Sequence, residues 1–141
     1  MKSSFLVLLL IAFSFSACNK AKRMEKKMVG EWKIISYKFQ NLNGFSYKYP
    51  SSGTFTFDQC GDDFCSYNLA LTYNVDGAVY QKNDSGLYNL LDDAEHYTLM
   101  RDNPDGSVST FLDNRILLIN KDQLKTLFQD EIGIHHLVLE K

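Results

Sequence analysis

The sequence predicts an all-β protein, an antiparallel up-and-down barrel of about eight to ten short strands. Apolar and polar residues alternate with a period of two in several segments, as in strands with one buried face. Gly, Asn, Asp and Pro residues separate these segments about every eight to twelve residues. A hydrophobic fraction of 45% indicates a folded protein rather than a disordered one. The 141 residues leave room for one domain, at 28–141, behind a targeting segment.

Residues 1–17 have the organisation of a secretory signal peptide. Lys2 precedes the apolar run Phe5–Phe15, and the small residues Ser16 and Ala17 follow it. This run is shorter than the about 20 residues that a membrane-spanning helix needs. The segment Phe15–Cys18 resembles a bacterial lipobox, with Phe15 where Leu is usual. The resemblance implies cleavage before Cys18 and lipidation of its thiol, whereas the alternative is a plain signal peptide with an incidental cysteine.

Lipidation of Cys18 implies a stable membrane anchor. Each buried methylene group contributes about 0.8 kcal/mol, so the two or three acyl chains of a lipoprotein cysteine bind firmly. In lipoproteins an Asp after the cysteine favours retention at the inner membrane, and this chain has Asn19 there. The resemblance therefore implies an exported protein of the bacterial cell envelope, anchored at the outer membrane if the cell has one.

Residues 18–27 form a basic tether. Lys and Arg occupy five of its positions against the single acid Glu25, a net charge of about +4. One interpretation is contact with anionic lipid head groups, at about 1 kcal/mol per charge. The other is a solvated tether that becomes a first helical turn. Residues 28–141 contain nine basic and sixteen acidic residues, and this acidic balance argues against nucleic-acid binding.

The first predicted strand, Gly30–Phe39, begins directly after the tether. Its apolar residues change phase at the adjacent pair Ile34 and Ile35, which predicts a β-bulge. A long loop over 40–52 follows it.

The remaining strands follow from alternation and turn signals. The clearest alternation is in 53–58 and 65–75. Further predicted strands cover 78–82, 87–91, 95–101, 107–113, 115–120, 123–129 and 134–141. Turns are predicted between them, including Asn83–Gly86 and the tight turn Asn103–Gly106. The segment 121–128 is also compatible with one or two helical turns.

Both ends of the domain resemble the bacterial lipocalin-like lipoproteins. Gly30-Glu31-Trp32 looks like the Gly-x-Trp motif that starts the first lipocalin strand, and 116–141 resembles the closing strands of these proteins. The resemblance implies a lipocalin-like barrel whose base is closed by Gly30 and Trp32. It also implies a basic residue from a late strand stacked on Trp32. Arg115 is the candidate, and such stacking contributes about 0.5–2 kcal/mol.

Cys60 and Cys65 lie between two strands that should pair as a hairpin. Opposed residues there have Cα atoms about 4.5–5.5 Å apart, within reach of a disulfide. Export permits oxidation, so a bridge stabilising the fold by about 2 kcal/mol is predicted, with two reduced thiols as the alternative.

Metal binding and catalysis have weak support. A metal site combining both cysteines with His135 and His136 is disfavoured, because adjacent histidines on a strand point to opposite faces. Asp92, Asp93, Glu95 and His96 lack the spacing of a calcium loop and fit a solvated turn better. The sequence has no recognisable catalytic motif, so no enzyme activity, metal or cofactor is predicted.

Two functions remain open, of which the resemblance favours the first, and enzyme activity is a distant third. The first is binding of a small apolar ligand inside the barrel, lined by Phe55, Phe57, Tyr67, Leu69, Leu71 and Tyr73, with Tyr47 and Tyr49 at its mouth. The second is a filled barrel that displays acidic loops to another envelope protein. A cavity below about 300 Å³ would contradict the first hypothesis.

Overall fold

A computed structural model describes residues 20–61 and 65–141. The predicted signal peptide at 1–17 and the predicted lipidation site Cys18 lie outside these residues, so both remain predictions. The described chain forms one short helix and nine strands. No helix within it is long and apolar enough to cross a membrane.

The strands form one antiparallel sheet that closes on itself, which confirms the predicted all-β barrel. A helix, α1, covers residues 20–28. The strands are β1 Gly30–Asn41, β2 Ser46–Tyr49, β3 Ser51–Phe57, β4 Cys65–Val75, β5 Ala78–Leu90, β6 His96–Asp102, β7 Val108–Ile119, β8 Gln123–Gln129 and β9 Gly133–Glu140. Consecutive strands from β3 to β9 are neighbours, and β1 pairs with both β3 and β9. Strands β2 and β3 lie end to end on the same side of β1. Strand β2 pairs with residues 37–40 of β1, and β3 pairs with residues 30–33.

The barrel has two different ends, named here the base and the mouth. The base is formed by α1, the β3–β4, β5–β6 and β7–β8 connections and the C-terminus. The mouth is formed by the β1–β2, β4–β5, β6–β7 and β8–β9 turns.

The predicted bulge in β1 is confirmed. The register between β1 and β9 shifts between Ile34 and Ser36. Trp32 and Ile34 are buried before the shift, Ile35 is exposed, and Tyr37 is buried after it. The bulge therefore keeps inward residues inward at both ends of this long strand.

Two predicted breaks are absent, because single residues let the strands continue. The turn predicted at Asn83–Gly86 is wrong, since β5 passes through it. A Cβ on Gly86 would lie 1.9 Å from the carbonyl oxygen of Met100, so glycine permits a close approach of β6 here. The predicted segments 107–113 and 115–120 are likewise one strand, β7, which passes through Asn114.

Three other expectations have clear outcomes. The segment 121–128 belongs largely to strand β8 rather than to a helix. The long loop at 40–52 contains strand β2. The Cys60–Cys65 disulfide is confirmed, and it joins the β3–β4 connection to the start of β4.

Aromatic and aliphatic side chains fill the lower part of the barrel. Trp32 is completely buried there, and its indole Nε1 donates a hydrogen bond to the carbonyl oxygen of Met28 at 2.6 Å. The cation above the Trp32 ring is Lys141, whose Nζ lies 4.7 Å from the ring centroid. Arg115 was the predicted partner, and this prediction is wrong: its side chain is exposed, because Asn114 takes the inward position beside it.

Helix α1 packs under the barrel. Met28 is buried in the core and Met24 packs against it. Lys20 Nζ donates a 2.8 Å hydrogen bond to the carbonyl oxygen of Asp93 and lies 3.6 Å from the Glu95 carboxylate. Most of the basic tether is thus a helix docked on the base, and its contact with lipid head groups remains a prediction.

Candidate binding site at the mouth of the barrel

Aromatic side chains line one wall of the barrel at its mouth. Tyr37 pairs with Tyr49 across β1 and β2, and Tyr73 pairs with Tyr80 across β4 and β5. The centroid of the Tyr73 ring lies 5.1 Å from that of Tyr37, 5.7 Å from that of Tyr49 and 5.6 Å from that of Tyr80. Cross-strand aromatic pairs of this kind stabilise a sheet, so the wall is part of the fold.

This wall borders an open pocket of about 140 Å³, the mouth pocket. Its lining is mostly aromatic and consists of Tyr37, Phe39, Tyr49, Tyr73, Val75, Tyr80 and Ile132. An engineered apolar cavity of about 150 Å³ binds benzene, so the mouth pocket has room for one ring-sized group.

The predicted ligand-lining residues divide into two groups. Tyr49 and Tyr73 line the mouth pocket, and Tyr47 stacks on Tyr49 with 6.2 Å between ring centroids. The others, Phe55, Phe57, Tyr67, Leu69 and Leu71, are buried in the packed core. The Phe55 and Phe57 rings stack with centroids 4.2 Å apart, as in a filled interior. The mouth pocket is smaller than the about 300 Å³ expected for an enclosed drug-sized ligand.

A buried polar cluster lies beside Tyr37. The Tyr37 hydroxyl is 2.9 Å from His135 Nδ1, and His135 Nε2 is 3.0 Å from Asp130 Oδ2. Lys82 Nζ donates a 2.7 Å hydrogen bond to the same carboxylate oxygen. The His135 ring therefore lies between the Tyr37 hydroxyl and the Asp130 carboxylate. The ring of Phe128 stacks on that imidazole and fixes its plane.

Burial and charge act on the pKa values of this cluster in opposite directions. Burial raises the pKa of the Tyr37 hydroxyl, and Tyr73 and Asp130 raise it further. Burial by itself would also raise the pKa of Asp130, but the contacts with His135 and Lys82 outweigh it and lower that pKa well below its usual range. Asp130 is therefore a carboxylate and Tyr37 a neutral phenol over the ordinary pH range.

A second group of charges lies in the same half of the barrel. The Arg101 side chain contacts Asp84 at 3.7 Å and Glu131 at 2.7 Å. The buried Asp84 Oδ1 and the buried Tyr67 hydroxyl have no hydrogen-bond partner among the described residues. Burial raises the pKa of Asp84 more than Lys82 and Arg101 lower it. The interior therefore changes from apolar at the base to charged near the mouth.

Large apolar side chains are exposed around the mouth, and this set is named the apolar rim. It comprises Leu42, Phe45, Tyr47, Val79, Tyr80, Val108 and Ile132. Among them Leu42 is 71% exposed, Val79 67% and Phe45 62%. Single exposed apolar residues are ordinary, but seven at one end of a small domain form a candidate interaction surface.

The other candidate sites have ordinary structural roles. The Asp93 carboxylate accepts hydrogen bonds from the backbone N–H groups of Glu95 and His96, so it organises a turn. These hydrogen bonds lower the pKa of Asp93 to about 2. Cys60 and Cys65 lie with Glu25 at the base, but their sulfurs are bonded to each other. His135 faces the interior near the mouth, so the metal combination weighed from the sequence is not assembled.

Sequence reasoning missed Tyr37, Tyr80, Lys82, Asp130 and His135 as parts of one site. A signal was present in β5, where Tyr80, Lys82 and Asp84 alternate on the face that continues to the buried Tyr88. Charged residues on an inward face indicate a polar interior. The predicted turn at Asn83–Gly86 concealed this continuity.

Comparison with known proteins does not assign the chain to a family. No protein-family model matches the chain, and no curated protein matches it. The resemblance to lipocalin-like lipoproteins stays a prediction from the motifs at the two ends of the domain.

Proposed function

We propose that this protein is a lipid-anchored interaction module of the bacterial cell envelope, which binds another envelope protein through the mouth of a filled barrel. The observation that carries the proposal is the position of the apolar rim. It lies at the end opposite α1, the helix that follows Cys18.

The filled lower barrel supports this function over enclosure of a ligand. Trp32, Phe55 and Leu71 are completely buried in the core, so the lower interior holds no accessible recognition surface. Aromatic residues, and Tyr in particular, are enriched at protein interfaces and frequently supply most of the binding energy there. The mouth presents Tyr47 and Tyr80 half exposed beside a pocket of ring size.

The dimensions of the barrel suit a partner beyond the membrane surface. Strands of 11–13 residues such as β4 and β5, with a rise of about 3.3 Å per residue and a tilt of about 40°, separate base and mouth by roughly 30 Å. A base held at the lipid surface through Cys18 directs the apolar rim away from that surface.

Site-specific photocrosslinking in the native host tests the proposal. A photoreactive phenylalanine analogue replaces Phe45 or Val79 in the apolar rim, and in control proteins it replaces Leu117, which is 56% exposed near the base. We expect one discrete protein adduct from the two rim positions and none from Leu117. Equal adduct patterns from rim and base, or no adduct from the rim, would contradict the proposal.

A second function, binding of a small apolar ligand, is favoured by the mouth pocket. The pocket is open and about 140 Å³ in volume, so it accommodates a ring-sized molecule or one end of a longer molecule. Extraction of the purified protein with organic solvent, followed by mass spectrometry, tests this function. A stoichiometric co-purified small molecule that is lost in a Tyr73→Ala variant would establish it.

A further inference from the structure

The mouth pocket contains more tyrosine than the binding of an apolar ligand requires. Four of its seven lining residues are tyrosines, namely Tyr37, Tyr49, Tyr73 and Tyr80. Leu, Ile and Val would satisfy a purely apolar group, whereas clustered aromatic faces also attract cations through the negative potential of the ring face. No Lys or Arg lines this pocket.

The charges around the pocket have the sign that favours a cation. Asp76, Asp84, Asp130 and Glu131 outnumber the cations Lys82 and Arg101 in the interior and turns of the mouth half. Exposed Lys38 and Lys48 are balanced by exposed Asp102 and Asp105 at the same end. With the histidines left out of the count, the mouth half carries a net formal charge of about −2.

The nearby cations are already paired. Lys82 Nζ lies 2.7 Å from Asp130, and Arg101 contacts both Asp84 and Glu131. Their repulsion towards a bound cation is therefore largely cancelled by their own partners. Asp76, in the turn between Tyr73 and Tyr80, forms no ion pair among the described residues. The balance of local charge thus attracts a cation to the aromatic wall.

From this arrangement we infer that the mouth pocket binds an organic ammonium group, held beside the rings of Tyr49, Tyr73 and Tyr80. The inference rests on the proposed function, because it names the chemistry of the group that the partner inserts at the mouth. A ring-sized pocket accommodates a trimethylammonium group or the end of a lysine side chain.

Titration with a matched pair of small molecules tests this inference. Choline carries a trimethylammonium group, and 3,3-dimethylbutan-1-ol is its neutral isostere of nearly the same shape. The exported protein, purified in maltoside micelles, is titrated with each compound while the tyrosine ring resonances are followed by NMR. We expect choline to shift the resonances of Tyr49, Tyr73 and Tyr80 and to bind at least about tenfold more tightly than the neutral isostere.

Two variants of Tyr80 provide the control, because this half-exposed side chain is not needed in the core. Tyr80→Leu removes the aromatic face and should weaken choline binding at least about threefold, whereas Tyr80→Phe should retain it. Equal affinity for choline and the isostere, or equal binding by both variants, overturns the ammonium inference. Absence of shifts with either compound also overturns it, while crosslinking from Phe45 still decides the proposed function.

Discussion

At the scale of single residues, the buried Trp32 at the base is paired on both its N–H and its ring face. Trp32 donates its indole N–H to Met28 and has Lys141 above its ring. The Gly-x-Trp motif predicted that Trp32 lies at the base of the barrel. It could not identify the cation that stacks on Trp32, because this depends on which residue near the C-terminus reaches the base. Arg115 points outward because the bulges of β7 set the phase of that strand, and bulge positions are hard to read from sequence.

The cation above Trp32 gives a prediction with a built-in control. Lys141→Met keeps an aliphatic side chain on the ring but removes the charge, and we expect a loss of about 0.5–1 kcal/mol in the free energy of unfolding. Arg115→Met should change it by less than about 0.5 kcal/mol, as for an ordinary surface residue. Urea unfolding of both variants measures the difference, and a larger effect at Arg115 would restore the sequence-based assignment.

Asp130 gives a prediction about pH. Its pKa is lowered in the folded protein, so the ionised form stabilises the fold above the unfolded carboxylate pKa of about 3.9. This contribution is lost as the pH falls from there towards the folded pKa. Asp130→Asn leaves Lys82 and His135 without their carboxylate, and we expect a loss of about 3 kcal/mol at pH 7.

The difference in stability between wild type and Asp130→Asn should narrow as the pH falls below about 4, because the unfolded wild-type chain then binds a proton that the folded one does not. Unfolding by urea at a series of pH values measures this convergence. Exposed Asp113→Asn is the control and should follow the wild-type profile. A difference that is constant or widens towards low pH would show that Asp130 is not a stabilising carboxylate.

At the scale of secondary structure, single residues decide where strands continue. The two clearest alternating segments, in β3 and β4, could be predicted because their inward faces are wholly apolar or aromatic. Strands β5 and β7 could not, since Gly86 and Asn114 are turn formers in isolation. Only the paired strands show that Gly86 leaves room for the carbonyl group of Met100. They also show that the Asn114 side chain donates a hydrogen bond to the backbone of the neighbouring strand β6.

Asn114 joins three strands and gives the prediction at this scale. Its Nδ2 donates hydrogen bonds to the carbonyl oxygens of Tyr97 and Phe111, and its Oδ1 accepts one from the N–H of Gln129. Asn114→Ala leaves these groups without partners in the interior, so we expect a loss of about 2–3 kcal/mol. Asn83→Ala, on the exposed face of β5, is the matched control and should cost less than about 0.5 kcal/mol. Comparable losses in the two variants by urea unfolding would refute this role.

At the scale of the whole molecule, base and mouth have different compositions. The base end carries α1 and a filled apolar interior, and the mouth end carries tyrosines, buried charges and the apolar rim. Alternation and turn spacing predicted a closed barrel, because they depend on local sequence. The mouth site could not be predicted as a unit, because Tyr37, Tyr73 and Asp130 meet only after the strands have paired in register.

The predicted anchor is tested separately from the fold. Growth of the host with an alkyne-tagged palmitate, followed by click labelling of the purified protein, should give a signal for the wild type and none for Cys18→Ala. Cys60 and Cys65 provide no alternative acylation site, because they are joined in a disulfide. Label that persists in Cys18→Ala would contradict the lipobox prediction.

The central claim is that recognition occurs at the mouth, and the yield of the crosslinked adduct from Phe45 measures it most directly. The yield is compared in the wild-type background, with Val79→Asp in the apolar rim, and with Leu117→Asp near the base, two substitutions of exposed apolar residues by the same charged residue. The account predicts that Val79→Asp reduces the adduct several-fold and that Leu117→Asp leaves it unchanged. A yield that is insensitive to Val79→Asp, or that falls equally with Leu117→Asp, would contradict it.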